Sequence, residues 1–441
     1  MSADADVTGS LEYAQDAVNE ALRAGATQAE ATLSIADRFS TEARDRAVTK
    51  LEQSRGRSLH MRVFVDGRKA SLMTTDFDRA RLGEAIAGAV AQAGHVAQDP
   101  FALLPERAQQ YQGPDLQLFS DDVVARDAQS KIDEALELEH RIRELDARIS
   151  NSNGSHVGDT ASTNILVNSN GFAGAYRATR THRSSSPVAL DREAKRTGSY
   201  GTAARRVREM EDVEAVARKA VERTVGLFGA RKPQTMRVPV IFERDVAASV
   251  LSDLFAALSA ANAAIGNSWL ADRTGERIGN DALTIVDDGT LPGLLGSSPF
   301  DGEGVPTQRT VVFDRGTLKT LLYDTYYARK LGARSTGNST GGGVGPNNFY
   351  LERGTQSLEQ IIASTSRGVL VMDTIGFATE HASGTYSRGA RGYYIENGEI
   401  AYPVEECTIA STFPEMLAGI DAVGSDLRFD DAVVSPSFRV A

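Results

Sequence analysis

The sequence DVAASVLSDLFAALSAANAAI, residues 245–265, is the one long helical pattern in the second half of the chain. Its apolar residues recur at helical spacing and cover most of the helix surface, which is typical of a helix buried within a domain. The remaining stripe is small or weakly polar and includes Ser249, Asp253 and Asn262. Such a stripe allows a neighbouring backbone to approach or borders a cavity, and a buried Asp253 is expected to hydrogen-bond a neighbour.

Strand-like segments surround this helix. Lys232-Pro233 ends the preceding helical pattern, and a strand is predicted over 238–242. Further strands are predicted at 283–286, 310–313, 368–372, 392–395 and 401–409, joined by turn sequences such as Asp314-Arg315-Gly316 and Glu396-Asn397-Gly398. We therefore predict a mostly antiparallel β domain with one long buried helix over residues 233–441.

The first 232 residues mix helices with hairpins. Helices are predicted at 11–22, 82–94 and 121–149, and Asp76 is predicted to cap the second of them. A hairpin with an Asp66-Gly67 turn is predicted over 58–75, and an antiparallel sheet over 150–208. The predicted fold class is α+β: an N-terminal α/β domain with helices and antiparallel hairpins (1–232), then the C-terminal β-rich domain (233–441).

Composition narrows the class of function. The 441 residues are 41% hydrophobic and 24% charged, which is an ordinary globular balance. The net charge of −11 argues against a nucleic-acid partner. Because no run approaches 18 apolar residues and the acidic start lacks the apolar core of a signal peptide, we expect a soluble cytoplasmic protein without a membrane partner.

One basic stretch departs from this acidic balance. It comprises Arg177, Arg180, Arg183, Arg192, Lys195, Arg196, Arg205, Arg206 and Arg208. These side chains are interpreted either as a patch for an anionic ligand or, preferably, as the solvated surface of two hairpins.

Neither the six histidines nor the single cysteine forms a familiar metal or nucleophile motif. Two histidines that share a metal on one helix face need a spacing of about three to five residues. None of His60, His95, His140, His156, His182 and His381 lies that close to another. Cys407 follows two glutamates, which are expected to raise its thiol pKa, so it is interpreted as a half-buried strand residue. We predict no metal ligand and no catalytic residue in this chain.

Two glycine-containing segments are candidate sites. Asp301 and Glu303 are interpreted either as an acid/base pair or, preferably, as turn residues that cap backbone N–H groups or meet an arginine. The stretch 335–348, which contains Thr336, Gly337 and Asn338, lacks the Lys-Ser/Thr ending of a phosphate-binding loop. It is interpreted as a flexible loop that contacts substrate or a partner.

A third candidate is the segment 380–387. His381 and Ser383 bring an imidazole and a hydroxyl close together, and Gly384 follows the serine. Sequence neighbours rarely have the geometry of a Ser–His–acid triad, and the segment lacks a nucleophile-elbow pattern. A hydrolytic site here is therefore kept only as an alternative.

Five segments of the second half together resemble the TldD/PmbA family, historically named modulators of DNA gyrase. They are FDGEG (300–304), LGARSTGN (331–338), SGTYSRGA (383–390), GYYIENGEI (392–400) and IDAVGSD (420–426). They occur in family order, whereas the first half fits in layout more than in motif. One position departs from the family pattern, because Thr385 stands where an acid is expected.

The resemblance implies a heterodimer of two related subunits that cleaves unfolded or small peptides, including the precursors of peptide antibiotics. In such a pair the TldD subunit carries zinc on a His-Glu-x-x-x-His helix, which would correspond to 245–265 here. This helix has no histidine, and Asp253 is its only charged residue after Asp245. The chain therefore resembles the TldE (PmbA) type, with zinc expected only in a TldD-like partner; a homodimer is the alternative for the isolated chain.

Eight residues are the resulting candidates for contact with substrate or partner. They are Asp301, Glu303, Thr336, Gly337, Asn338, His381, Ser383 and Gly384. Two alternative functions stay open: an autonomous hydrolase that uses His381 with Ser383 or the Asp301/Glu303 pair, and a binding module associated with gyrase or nucleic acid.

Overall fold

The computed structural model describes residues 3–106, 110–192, 194–376 and 379–441. The helices are α1 (Ala3–Arg23), α2 (Arg79–Ala93), α3 (Asp121–Val124), α4 (Ala128–Leu145), α5 (Val213–Val225), α6 (Arg244–Leu258), α7 (Ala260–Ala264), α8 (Thr325–Lys330), α9 (Leu358–Ala363) and α10 (Phe413–Gly419). The strands of the first half are β1 (Gln28–Arg44), β2 (Ala47–Val65), β3 (Arg68–Thr74), β4 (Ile149–Asn168), β5 (Ala173–Asp191), β6 (Ala194–Thr197) and β7 (Tyr200–Ala204). Those of the second half are β8 (Val240–Phe242), β9 (Ile285–Asp288), β10 (Arg309–Asp314), β11 (Thr317–Leu318), β12 (Phe349–Leu351), β13 (Arg367–Ile375), β14 (Thr379–Glu380), β15 (Thr385–Glu396), β16 (Glu399–Thr412), β17 (Ile420–Val423), β18 (Val433–Val434) and β19 (Phe438–Val440).

The first half is built on one antiparallel sheet in the order β3-β2-β1-β4-β5-β6, with β7 also paired to β5. Helices α1 and α2 pack on one end of the sheet, where Met61 and Ile165 are buried. Helices α4 and α5 pack on the other end, over Ile149 and Ala189. The predicted hairpins are confirmed, including the Asp66-Gly67 turn between β2 and β3.

Two details of the predicted N-terminal helices are wrong. The pattern predicted as one helix over 121–149 is split into α3 and α4, because Asp127 caps α4 by accepting the N–H three residues later at 2.7 Å. Helix α2 is capped in the same way by Asp78, at 3.0 Å, and not by Asp76. In both cases the helix begins where an aspartate side chain accepts the backbone N–H of the residue three positions later.

The second half folds around α6, which packs between two sheets. One sheet has the order β11-β10-β9-β12-β18, and the other has the order β14-β15-β13-β8-β19-β17 with β16 on β15. Neighbouring strands are antiparallel except for the parallel pairs β12/β18 and β13/β8. The largest apolar cluster contains Leu254 of α6, Phe313 of the first sheet and Val371 of the second. This confirms the predicted α+β class and the mostly antiparallel region around a buried helix.

The buried helix is shorter than the predicted range 245–265. It ends at Leu258, because Ser259 has an extended backbone and the neighbouring peptides bond Leu322 of another segment. The N–H of Leu322 donates to Leu258 at 2.9 Å, and that of Ala260 donates back to Leu322 at 2.9 Å. Tertiary hydrogen bonds thus replace helical ones before α7 begins. None of the helices in the described ranges is long and apolar enough to cross a membrane.

The predicted division at 232/233 falls in the connection between the halves. Residues 226–239 contain no helix or strand, and Arg231 touches the second half through a bridge to Val404. The two-domain division itself stays a prediction.

Candidate functional site

A polar cleft of about 530 Å³ lies between the two halves of the chain. The second half contributes Asp245 and Ser249 from α6 and Arg388 from β15, while the first half contributes β5 and the start of β7. The small polar stripe predicted on this helix therefore does border a cavity.

The central interaction of α6 is an ion pair between Asp253 and Arg388. One guanidinium nitrogen of Arg388 donates to both carboxylate oxygens, at 2.8 and 2.7 Å, and the hydroxyl of Thr379 donates to the same carboxylate at 3.0 Å. Burial raises the pKa of Asp253, and the positive charge of Arg388 opposes that rise. The expected hydrogen bond of Asp253 to a neighbour is confirmed, with both carboxylate oxygens occupied.

The other arginines of the cleft are paired as well. Arg223 donates to Glu243 at 3.0 Å and lies 2.7 Å from a carboxylate oxygen of Asp245. Arg391 donates to Asp373 at 2.7 Å. The walls of the cleft are thus charged but locally neutralised.

The donors in the cleft do not fit a metal ion. Zinc sites in proteins need three or four nitrogen, sulfur or oxygen ligands that converge on one point. In the parts of the chain that the structure describes, no group of three or more His, Cys, Asp or Glu side chains is so arranged. On α6 the carboxylate of Asp253 is held by Arg388, and a guanidinium beside it repels a second cation.

The structure does not assemble a Ser–His–acid triad from the candidate segment. The hydroxyl of Ser383 donates to Glu380 at 3.0 Å and lies 2.8 Å from the hydroxyl of Thr385. The Nδ1 atom of His381 is buried and has no hydrogen-bond partner among the described residues. Gly384, at φ +75°, packs against the indole of Trp269, where an added Cβ would lie 3.1 Å from the ring. These three residues shape a turn.

Asp301 and Glu303 are buried and form part of the joint between the halves. Both oxygens of Asp301 accept backbone N–H groups, from Glu303, Val305 and Ser339, at 2.9 to 3.0 Å. Burial and the neighbouring Glu303 raise the pKa of Asp301 to about 8, against the effect of these donors. Glu303 accepts from Arg62 of β2 at 3.2 Å. The preferred interpretation as capping and arginine-binding residues is confirmed.

Thr336, Gly337 and Asn338 belong to the same joint. The side chain of Asn338 donates to Asp287 at 2.8 Å and accepts the Thr336 hydroxyl at 2.6 Å. Gly337 has φ +73°, and an added Cβ would lie 2.7 Å from a backbone oxygen. The interpretation as a flexible loop is therefore wrong for these residues, which are held by buried hydrogen bonds. Contact of the eight candidates with substrate or partner stays a prediction.

The basic stretch and Cys407 both differ in part from their interpretations. Arg183 and Arg205 are 7% and 8% exposed, so the preferred description of a solvated surface is wrong for them. Arg196 is also largely buried, with ion pairs to Asp191 and Glu405. Cys407 is half-buried in β16 as expected, but burial, and not the adjacent glutamates, raises its thiol pKa.

Sequence reasoning missed Arg62 and Arg388, the two arginines that organise the buried charges. The sequence carried a detectable signal for Arg388. Arg388 lies on the same face of β15 as Tyr386 and Ala390, which are 1% and 4% exposed. An arginine on a buried strand face needs a carboxylate partner, but the rule does not say which carboxylate.

Comparison with known proteins gives a consistent match along the chain. Family models described as PmbA/TldA metallopeptidase domain 1, central domain and C-terminal domain match residues 29–97, 121–228 and 235–441. The chain is 31% identical to the metalloprotease PmbA of Escherichia coli O157:H7, over 100% of this chain and 99% of that protein. It is 30% identical to a PmbA homologue of Haemophilus influenzae, over 93% and 90% of the two chains.

Solved structures give the same result. A protein from Bacteroides thetaiotaomicron named a "putative modulator of DNA gyrase" has a TM-score of 0.91 at 27% identity, with 97% of each chain covered. TldE from Thermococcus kodakarensis, at 21% identity, has a TM-score of 0.88 over 97% of this chain and 98% of that chain, which shows the shared fold. On the full-length match to PmbA and the three consecutive domain models, the chain belongs to the PmbA/TldD metallopeptidase family.

Proposed function

We propose that this chain is the TldE-type, zinc-free subunit of a two-chain metallopeptidase that cleaves unfolded or small peptides. A TldD-like partner supplies the metal and the catalytic residues. The observation that carries the proposal is the Asp253–Arg388 pair on the cleft side of α6, which stands where a metal-binding helix would need convergent ligands.

The chemistry of the cleft supports a role in binding and not in bond cleavage. A hydrolytic metal polarises a carbonyl and activates water, and both tasks need an open coordination position. In this chain both α6 carboxylates near the cleft are paired with guanidinium groups, Asp253 with Arg388 and Asp245 with Arg223, and Nδ1 of His381 has no hydrogen-bond partner among the described residues. The relatives are PmbA proteins named metalloproteases; because no group of metal-binding side chains converges in the described part of this chain, we assign the metal of the complex to the other subunit.

The hydrolase alternative has no geometry to support it. Ser383 bonds Glu380 and Thr385, and the Asp301 and Glu303 carboxylates are filled by backbone N–H groups and Arg62. The nucleic-acid alternative is weakened because Arg183, Arg196 and Arg205 of the basic stretch are turned to partners within the chain.

The test is co-expression of this chain with the TldD-like chain of its host, followed by zinc analysis and a peptide-cleavage assay. We expect about one zinc per heterodimer, less than about one-tenth of an equivalent on the isolated chain, and cleavage only when both chains are present. A partner variant that lacks one zinc-ligand histidine is the matched control and should abolish cleavage. Stoichiometric zinc on the isolated chain, or cleavage by it that His381→Ala abolishes, would refute the proposal.

A further inference from the structure

We propose that the cavity beside Arg205 is a binding site for a carboxylate, supplied either by a small free acid or by the C-terminus of a peptide. The site lies at the joint between the halves, away from the cleft, and arises from the basic stretch that the proposed function does not use. The inference goes beyond the proposed function and does not depend on it.

Arg205 follows β7 and is 92% buried, since its exposed fraction is 8%. Its guanidinium donates to the backbone carbonyls of Thr179, Leu294, Leu295 and Ser297, at 3.0, 3.2, 2.8 and 3.4 Å. A guanidinium has five N–H groups. Four are used here, so one N–H on Nη1 has no acceptor in the described part of the chain.

The charge of Arg205 is not compensated. In the ranges that the structure describes, no carboxylate lies within 4.0 Å of it, whereas Arg62, Arg183 and Arg388 each have at least one. Burial lowers the pKa of Arg205 to about 10, and only the phenol of Tyr176 opposes that effect. A buried cation without a counter-charge is costly, so an anion that enters beside it gains both a charge partner and the spare N–H.

The cavity next to this guanidinium has room and polarity for such an anion. Its volume is about 470 Å³, within the range of small-ligand pockets. The polar residues that line it include Arg205, Tyr176, Ser162, Asn164 and Thr340, together with Asp301, whose pKa burial raises to about 8. Hydroxyl and amide groups beside an arginine suit a carboxylate, which accepts several hydrogen bonds at once.

The test is isothermal titration of the full chain with acetate, with N-acetyl-dialanine and with the C-terminal amide of that peptide. Saturable binding of the two acids, and none of the amide, is expected. Tighter binding of the peptide acid than of acetate assigns the source to a peptide C-terminus, and equal binding assigns it to a small free acid. No saturable binding of either acid would overturn the proposal.

Two variants distinguish the site from nonspecific binding. Arg205→Met removes the charge and should weaken acid binding more than about tenfold, but it also removes the bonds that hold the turn at 294–297. Thr32→Phe is the second variant, because it fills the cavity from β1 and leaves Arg205 in place. It should weaken binding by a similar factor, whereas Thr49→Phe on exposed β2 should not. Unchanged affinity in Thr32→Phe would overturn the assignment.

Discussion

Two charge clusters in this chain differ in the number of carboxylates that share one arginine. Beside the cleft, Asp253 is the one carboxylate paired with Arg388 in the described part of the chain, and one nitrogen of Arg388 donates to both of its oxygens. At the joint between the halves, Arg62 is shared. It donates to Glu30 of β1 at 2.9 and 2.7 Å and to Glu303 of the second half at 3.2 Å.

The unequal match has a consequence for protonation. Burial raises the pKa of Glu30 to about 7, although Arg62 opposes the rise, and burial raises that of Asp324 beside the cluster to about 6. The second carboxylate oxygen of Glu30 is buried and has no hydrogen-bond partner in the described residues. Because Glu30 shares its arginine with a second carboxylate, burial leaves it favouring its proton up to a pH near neutral.

The largest effect is expected from removal of the shared cation. Arg62→Met leaves Glu30 and Glu303 buried without their partner and should lower the free energy of unfolding by about 3–5 kcal/mol. Urea unfolding measures this loss. Because Arg62 is a direct link between the halves, the transition seen by circular dichroism should also separate from that seen by the fluorescence of Trp269, the only tryptophan.

A matched arginine on the surface provides the control. Arg79 pairs with Asp16 at 2.9 Å, but both side chains are more than half exposed. Arg79→Met should therefore change the free energy of unfolding by less than about 1 kcal/mol. Equal losses in the two variants would show that the joint does not depend on the burial of Arg62.

A somewhat smaller effect is expected in the cleft, where the match is one to one. Arg388→Met leaves the Asp253 carboxylate without its cation and should lower the free energy of unfolding by about 2–3 kcal/mol, less than at the joint because one carboxylate is left and not two. Asp253→Leu combined with Arg388→Met removes both charges and should recover most of that loss. If the double variant loses the sum of the two single losses in urea unfolding, the pair is not coupled.

The sequence predicted the elements of this fold better than their ends. Apolar periodicity identified the helices, and Asp-Gly and Asn-Gly turns identified the hairpins, because both signals are local. The end of α6 was not predictable, since its helical pattern continues past Leu258 and the helix stops only because Leu322 from a distant segment offers hydrogen bonds. Two helix starts were also missed. Asp76 lies close to the true cap Asp78, and at Asp127 the predicted helical pattern runs on through the capping residue.

For the candidate site, the sequence predicted local backbone capping but not the long-range charge pairs. The turn around Asp301 was interpreted correctly as a set of backbone caps. The arginine that meets Glu303 comes from residue 62, and the one that meets Asp253 comes from residue 388. Such partners are fixed by strand register across the chain, which a single sequence does not encode locally.

The smallest effect should appear only as a dependence on pH. The folded-state pKa of Glu30 is raised from 4.5 to about 7, so its protonated form is favoured on folding. Its contribution to stability is complete below the unfolded pKa and is lost as the pH rises towards the folded value. Glu30→Gln keeps the shape of the side chain but does not titrate. The free energy of unfolding of the variant minus that of the wild type should therefore rise by roughly 2 kcal/mol from about pH 5 to about pH 8.

Urea unfolding at the two pH values measures this gain, with Glu303→Gln as the comparison. The two glutamates share Arg62, but both oxygens of Glu303 accept hydrogen bonds, one from Arg62 and one from the N–H of Thr325 at 3.0 Å, whereas Oε2 of Glu30 accepts none from the described residues. Glu303 thus has a donor on each carboxylate oxygen, whereas Glu30 receives both of its Arg62 bonds on Oε1 alone. The gain at high pH should be confined to Glu30→Gln; parallel pH profiles for wild type and Glu30→Gln would mean that Arg62 keeps the Glu30 carboxylate ionised.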